Sequence, residues 1–325
     1  RCFFTLAAFR SVTIPSMNTL QRWFQAPQTH WLRKLLFQVH LWLGIGLGIY
    51  VLLISLSGSA LLLKSPFYGW FEPRDIDNPP TDIEPLKGDA LTAKMKEVYA
   101  GYEVGFTIEG MEPHNATYVV IQQGNEYFPH YFNQYTGEDI GVANPWPIKS
   151  LEWLGGIHAD LLMGREGRRI NGVGGGLFIF MSLTGLVIWW QGRSRWYDGL
   201  LIRAGSKRGL IWQLHSFLGF WALLLMIAWG ISGFQLGFPR LMDRFVDWLD
   251  NDLTDFERPA AWLQFFRSVH FARFGETAIS RWLWIIASFI PTVILISGVI
   301  LWWKRVVMRA LRKQQTTSEP RVESV

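Results

Sequence analysis

Four long apolar stretches, separated by polar and charged segments, dominate the pattern of the chain. A helix needs about 20 apolar residues to cross the roughly 30 Å hydrocarbon layer of a bilayer. Each stretch is long enough, and none carries Lys, Arg, Asp or Glu in its central part. The pattern therefore predicts a mainly α-helical membrane protein with four transmembrane helices, at residues 37–63, 171–191, 210–238 and 282–303.

The charges of the polar segments predict how these helices are oriented. Two segments, 64–170 and 239–281, contain almost all of the 26 acidic residues, whereas 17–36, 192–209 and 304–325 are rich in Lys and Arg. Because cytoplasmic segments carry the excess of basic residues, both termini and the 192–209 loop are predicted to be cytoplasmic. The basic pI follows from this topology, and nucleic-acid binding is not indicated.

The longer acidic segment predicts a small α+β module on the outer face of the membrane. A helix-like composition at 88–101 is followed by strand patterns at 117–121 and 127–132, with a Gly124-Asn125 turn between them. A further helix is expected before the second transmembrane stretch. The shorter acidic segment predicts an amphipathic helix that lies along the membrane surface.

Two pairs of histidines repeat along the chain. His40 and His215 each open an apolar stretch, with a Gly four residues later and a Ser-Gly whose Gly comes eighteen residues later. His158 and His270 each precede an apolar stretch that ends in a small residue, a Gly, three further residues and Trp-Trp. The transmembrane helices are therefore predicted to form two parallel repeats, related by an axis along the membrane normal.

The predicted topology places His40 and His215 at the inner leaflet, and His158 and His270 at the outer face. Imidazoles at membrane borders are a common way to hold a haem iron from two sides, so two haems are expected. The alternative for each histidine alone is an ordinary interfacial side chain. The sequence contains no C-x-x-C-H motif, and the expected haems are therefore of the b type.

Haem propionates need cationic or N–H partners at the membrane edge, and several basic residues have suitable positions. On the outer side these are Arg165, Arg168, Arg169, Arg273 and Arg281, and on the inner side they are Arg33, Lys34, Arg193 and Arg195. The alternative is that these charges only set the topology. Glycines also cluster, and they favour either space for a porphyrin or close helix packing. They are Gly44, Gly46, Gly48, Gly172, Gly174, Gly175 and Gly176.

The first residues of the chain are interpreted as a non-native extension. The chain begins with Arg, whereas Met17 opens a sequence with the character of a natural start, so residues 1–16 receive no structural weight. The single cysteine, Cys2, lies in this extension. The rest of the chain therefore offers no disulfide, iron–sulfur or zinc-thiolate chemistry. The remaining histidines, His30, His114 and His130, are predicted to be solvated surface residues.

The motifs that contain the paired histidines resemble those of the PepSY-associated transmembrane family, the iron-regulated membrane proteins. They are QVHLWLG, GGIHADLLMG, TGLVIWW, QLHSFLGF, SVHFARFG and SGVILWW, and FNQYTGEDIG resembles the Thr-Gly turn of the PepSY module. The resemblance implies a multi-pass protein of the bacterial inner membrane with the α+β module in the periplasm. It also implies an oxidoreductase that carries electrons through two haems, ligated by the four paired histidines, to a ferric siderophore.

Three functions remain open from the sequence. The first is a di-haem electron conduit that reduces a periplasmic ferric siderophore or other ferric chelate, with an unknown cytoplasmic or quinol electron donor. The second is the same cytochrome b with another acceptor, a quinone or a partner protein. The third is a non-enzymatic, membrane-tethered PepSY binding or regulatory protein. Haem content separates the third from the others, and reoxidation by ferric chelates separates the first from the second.

Overall fold

A computed structural model describes residues 19–72, 74–193, 195–205, 209–249, 257–273, 275 and 277–318. The predicted extension 1–16 and the last residues of the 304–325 tail lie outside the described residues. The described part is mostly helical. Its helices are α1 (Thr19–Gln25), α2 (Trp31–Gly46), α3 (Gly48–Leu61), α4 (Lys64–Phe71), α5 (Gly88–Val98), α6 (Trp146–Asp160), α7 (Gly164–Trp189), α8 (Leu210–Trp221), α9 (Leu223–Gly237), α10 (Pro239–Leu249), α11 (Glu257–His270), α12 (Ala278–Ser288), α13 (Ile290–Arg305) and α14 (Val307–Ser318).

The chain forms two compact units. The first comprises the described residues within 1–52, 169–274 and 289–325, and it contains most of the apolar helices. The second comprises those within 53–168 and 275–288, and it contains the β-sheet.

Two helical segments are long and apolar enough to cross a bilayer as they stand, α7 and the segment Ala278–Arg312. Two pairs of helices meet the same test if each pair is one bent span, namely α2 with α3 and α8 with α9. By length and composition, the described residues therefore contain between two and four candidate membrane spans. All four predicted apolar stretches are helical, and the first helix begins at Trp31, before the predicted residue 37.

The two bent pairs share their geometry. The α2–α3 pair bends by 60° at Leu47, and the α8–α9 pair bends by 62° at Ala222. The backbone angles at the two residues are nearly the same, with φ −86° and ψ −5° at Leu47 and φ −90° and ψ 1° at Ala222. Each bend comes seven residues after a paired histidine, His40 or His215. Neither junction contains a proline, the usual cause of a sharp kink.

The second unit contains an antiparallel four-stranded sheet in the order β1-β2-β3-β4. The β2–β3 hairpin has the predicted Gly124-Asn125 turn, and Gly124 adopts the left-handed φ of +61° that tight hairpin turns require. The strand β1 was not predicted, and its alternation in burial is interrupted between Gly105 and Phe106, where its register with β2 also shifts. The strands are β1 (Glu103–Ile108), β2 (Thr117–Gln123), β3 (Glu126–Asn133) and β4 (Glu138–Val142).

Helix α5 covers one face of this sheet. The β2 side chains alternate between buried and half-buried positions, as expected for a strand with one covered face. The side chains of α5 pack onto this face and form the hydrophobic core of the unit. The core residues are Leu91, Met95, Tyr99, Val119, Ile121 and Phe132.

The helices that flank the membrane spans carry the second histidine pair. Helix α6 packs on α4, where the Tyr68 hydroxyl donates to Glu152, and it ends at Leu161 in the left-handed conformation. In the 239–281 segment, α10 is strongly amphipathic, as predicted. The following helix, α11, was not predicted as a separate element, and it packs along α9.

Candidate haem-binding histidines

His40 and His215 are anchored in the same way. The Nδ1 atom of His40, on α2, lies 3.0 Å from Oγ1 of Thr184 on α7. The Nδ1 atom of His215, on α8, lies 3.0 Å from Oγ of Ser297 on α13 and 3.0 Å from the carbonyl oxygen of Ile294. Each imidazole of this pair is therefore held by a Thr or Ser on a different helix. In both cases a Gly follows directly, and we call such a pair of residues a small-Gly motif.

The second pair, His158 and His270, is anchored by Nδ1 as well. His270, at the end of α11, lies 2.8 Å from Oγ of Ser232 on α9. His158, in the last turn of α6, lies 2.9 Å from the carbonyl oxygen of Ile54 on α3. The carbonyl group of Ile54 precedes the Ser57-Gly58 motif by one helical turn. All four small-Gly motifs of the sequence analysis thus lie next to a paired histidine.

These hydrogen bonds define the tautomer of each ring. A carbonyl oxygen can only accept, so Nδ1 of His158 and His215 must carry the hydrogen. The hydroxyl groups beside His40, His215 and His270 each donate their own hydrogen to a carbonyl group three residues earlier, which leaves their oxygens to accept from Nδ1–H. These bonds are Thr184 to Met181 at 2.9 Å, Ser232 to Trp229 at 2.9 Å and Ser297 to Ile294 at 2.8 Å.

This tautomer places the lone pair of each imidazole on Nε2. Histidines that ligate metals typically donate their other N–H to a carbonyl or similar oxygen, which fixes the ring orientation. Burial lowers the pKa of His158, and the bond to Ile54 offsets this only in part. The ring is therefore neutral at physiological pH, as a metal ligand must be.

A glycine lies directly beside three of the four rings. A Cβ atom added at Gly58 would be 2.7 Å from Cε1 of His158, and one added at Gly298 would be 3.1 Å from Cε1 of His215. The corresponding distance from Gly185 to His40 is 3.3 Å. The glycine of the fourth motif, Gly233, instead faces α7. Gly58, Gly298 and Gly185 therefore leave room for the imidazole beside the neighbouring helix.

A single cavity of about 510 Å³ in the first unit joins His40 and His215. Its volume is within the roughly 300–1,000 Å³ typical of small-molecule and cofactor sites. Most of its lining is apolar, and four glycines border it, including one at the fourth residue after each histidine. These glycines are Gly44, Gly185, Gly219 and Gly298.

The donor set fits a porphyrin better than a bare metal ion. Among the described residues, no three or more His, Cys, Asp or Glu side chains form a group that could hold an ion. A haem needs only two axial imidazoles from the protein, because the porphyrin supplies the other ligands. His158 belongs to the second unit and His270 to the first, so their pairing at an outer haem stays a prediction.

The predicted glycine clusters separate into two roles. Gly44 borders the cavity, beside the methyl group of Met181. The run at 172–176 instead serves helix packing, since Gly175 lies against the backbone of Gly230 on α9 and Gly174 lies against the ring of Tyr50. Close helix packing is therefore confirmed for the run at 172–176, whereas space for a porphyrin beside Gly44 stays a prediction.

The predicted outer arginines are all exposed. Arg165, Arg168 and Arg169 lie in the first two turns of α7, and the guanidinium carbon of Arg273 lies 5.1 Å from the centre of the Phe271 ring. Among the basic residues predicted for the inner side, Arg33 donates from Nη2 to the carbonyl oxygen of Ile188.

The cations that line the cavity are not those that the sequence suggested. The described side chains of Arg33, Lys34, Arg193 and Arg195 are not part of its lining. Instead, Lys304, Arg305 and Arg309 line the cavity, although they were predicted only as part of the cytoplasmic tail.

Two of the three remaining histidines have local partners, and the third, His114, is exposed, as predicted. His30 accepts from the backbone N–H of Leu32 and caps the start of α2. His130 lies 3.0 Å from Asp139, which also accepts from the hydroxyl group of Tyr99.

Loss of the hydroxyl group that anchors His40 is expected to weaken haem binding. In T184V, Nδ1–H of His40 would lose the hydroxyl acceptor at 3.0 Å, and the carbonyl oxygen of Met181, which also faces the ring, would compensate only in part. A buried N–H without a good acceptor costs up to about 1–3 kcal/mol. Loss of a hydrogen bond that orients a metal-ligating histidine typically reduces metal affinity roughly 10–100-fold. Haem titration of the protein with its haem removed measures the effect, and T184S, which keeps the hydroxyl group, is the control.

The equivalent change at His215 provides an internal comparison. S297A should have a smaller effect than T184V, because the carbonyl oxygen of Ile294 remains as an acceptor for Nδ1–H. Equal effects of the two variants would contradict the assigned hydrogen bonds.

The fold and the comparisons define the class of this protein. Apolar helices that can cross a bilayer, together with a small antiparallel sheet, describe a membrane protein with a polar module. Its sequence matches the PepSY-associated TM region over residues 37–255 and 246–305. The chain therefore belongs to the PepSY-associated transmembrane family, and the resemblance seen in its motifs is confirmed. No curated protein matches the chain significantly.

Proposed function

We propose that this protein is a di-haem b electron conduit of the bacterial inner membrane that reduces ferric siderophores or other ferric chelates in the periplasm. The observation that carries the proposal is the common anchoring of four imidazoles. Each ring is held through Nδ1, which orients the Nε2 lone pair for a metal. A purely structural role would not require the same tautomer at four separate places.

In this proposal the four histidines form two axial pairs. His40 and His215 hold the inner haem in the cavity that both line, and His158 and His270 hold the outer one. A bound haem supplies a one-electron carrier near each membrane face. The protein fixes the rings, excludes water with its apolar lining and sets the separation of the two sites.

Four membrane spans in two parallel repeats form the framework of the proposal. The matched bends at Leu47 and Ala222, each seven residues after a histidine, support an equivalence of α2–α3 with α8–α9. In the predicted topology, both termini and the 192–209 loop are cytoplasmic, and 64–170 and 239–281 are periplasmic. Electrons then enter from a cytoplasmic or quinol donor and leave on the periplasmic side.

Reduction of a chelate matches the chemistry of iron release. The hard oxygen ligands of siderophores hold Fe(III) far better than Fe(II), so the transfer of one electron weakens the complex. A large, polar chelate cannot enter the helix bundle, and it must receive the electron at the surface. Arg165, Arg168, Arg169 and Arg273 provide exposed positive charge for haem propionates or for an anionic chelate.

Ferric chelates are expected to reoxidise the reduced protein. The purified protein is reduced with dithionite, cleared of excess reductant and mixed anaerobically with ferric siderophores in a stopped-flow spectrometer. The rate of haem oxidation should rise with chelate concentration. The same chelates loaded with Ga(III), which binds similarly but accepts no electron under these conditions, should leave the haems reduced.

The other outcomes distinguish the remaining functions. If the protein contains haem but no class of ferric chelate reoxidises it faster than buffer does, the acceptor is a quinone or a partner protein. If the protein contains no haem, the chain acts as a PepSY binding or regulatory protein, and the conduit proposal is wrong.

A further inference from the structure

Three cations lie at the cavity that joins His40 and His215. Lys304 and Arg305 end helix α13, and Arg309 belongs to the first turn of α14. All three side chains line the cavity and are also exposed, so they occupy its border with water. The rest of the lining is mainly apolar.

This arrangement of charges lacks a counterion among the residues described. No described Asp or Glu residue lines the cavity. Arg305 and Arg309 are four residues apart, a spacing at which like charges on a helix destabilise each other. A cluster of this kind is stabilised when an anion lies between its members.

Arg305 is also held in position. Its guanidinium carbon lies 4.2 Å from the centre of the Phe37 ring, within the range of a cation–π interaction. Phe37 itself lines the cavity, three residues before His40. The stacked guanidinium group keeps its N–H donors available at the edge of the plane, where they can bind a carboxylate in a bidentate manner.

We propose that Lys304, Arg305 and Arg309 bind the two propionate carboxylates of the haem that His40 and His215 hold. This inference rests on the proposed function, since it assumes that the cavity takes a haem. The propionate edge of the haem then points to the junction of α13 and α14. Two carboxylates offset most of the charge of the three cations, and α14 becomes part of the binding site.

The chain offers a matched test on one helix. R309Q removes a cation that lines the cavity, whereas R312Q removes the same charge one turn later, at a position that is not part of the lining. Each purified, haem-loaded variant is mixed with excess apomyoglobin, and the rate of haem transfer is followed by absorbance. R309Q and R305Q should lose the inner haem several-fold faster than the wild type, and R312Q should match the wild type. R305K keeps the positive charge but lacks the planar guanidinium group, so its rate of haem loss should lie between those of the wild type and R305Q.

The reduction potential provides a second readout, which a merely structural role would not change. With its cations in place, a propionate stays ionised across neutral pH. Loss of Arg305 or Arg309 leaves uncompensated negative charge beside the iron, which stabilises the ferric form and lowers the inner midpoint potential. The unpaired propionate also titrates closer to neutral pH, so the potential should become more pH-dependent than in R312Q.

Several results would overturn the inference. It is wrong if R305Q and R309Q match R312Q in both haem loss and potential while the wild type contains two haems. It is also wrong if R309Q instead releases co-purified phospholipid without a change in haem loss, because the cations would then bind lipid phosphate. A wild-type protein without haem would refute the proposed function itself and is therefore recognised separately.

Discussion

H40A and H215A are each expected to lose the inner haem and keep the outer one, and H158A and H270A are expected to do the reverse. In the proposed arrangement two imidazoles would hold each haem, and loss of one would leave an open coordination position and a weaker complex. Haem content should fall from two per chain towards one in every single variant. Any haem retained at the altered site should be high-spin. Pyridine haemochrome analysis and low-temperature spectra measure the content and the spin state.

Two other histidines provide controls for these variants. His130 bonds to Asp139 in the sheet module, and His30 caps α2, so H130A and H30A should keep both haems. Loss of both haems in every one of the four single variants would indicate misfolding rather than separate sites. An unchanged spectrum after replacement of all four paired histidines would show that other residues ligate the iron.

The hydrophobic pattern predicted the elements of the fold well, because burial in lipid and strand alternation leave strong periodic signals. The apolar stretches are all helical, and the β2–β3 hairpin forms around its Gly124-Asn125 turn. The bends at Leu47 and Ala222 could not be predicted, since neither junction has a proline. The feature that they share is their position, seven residues after a paired histidine.

The candidate site was predictable in its residues but not in its arrangement. The paired histidines and the four small-Gly motifs are visible in the sequence, but the sequence does not show which motif lies beside which imidazole. His40 and Thr184 are 144 residues apart, and contacts over such distances are set by helix packing. Each motif anchors a histidine of a different helix, so the contact depends on how the helices pack in the folded protein.

The cations that line the cavity could not be predicted from the sequence either. Sequence position favoured Arg33 and Lys34, because they precede the first span and lie close to His40. The structure uses the Arg33 guanidinium group to hold the end of α7 through the carbonyl oxygen of Ile188. Arg305 and Arg309, far away in sequence, reach the cavity because α13 packs against both α2 and α8.

A graded effect is expected when alanine replaces each glycine that lies beside a ring. A Cβ atom would be 2.7 Å from the imidazole of His158 in G58A, 3.1 Å from that of His215 in G298A and 3.3 Å from that of His40 in G185A. Alanine at a helical position gains roughly 0.5–1 kcal/mol over glycine, whereas overpacking costs about 1–3 kcal/mol. G58A should therefore lose its haem, G298A should bind haem more weakly, and G185A should stay close to the wild type.

Haem occupancy at each site, measured after purification and again after haem titration, checks this order. Gly69 is the matched control for Gly58, because it is a helical glycine of the same unit and a Cβ atom there would meet nothing within 4 Å. G69A should keep both haems, and it should be at least as stable as the wild type. If G58A instead keeps the outer haem with its low-spin spectrum, the His158 ring does not lie against Gly58 of α3 when haem is bound. The anchoring through Ile54 would then not orient the outer ligand.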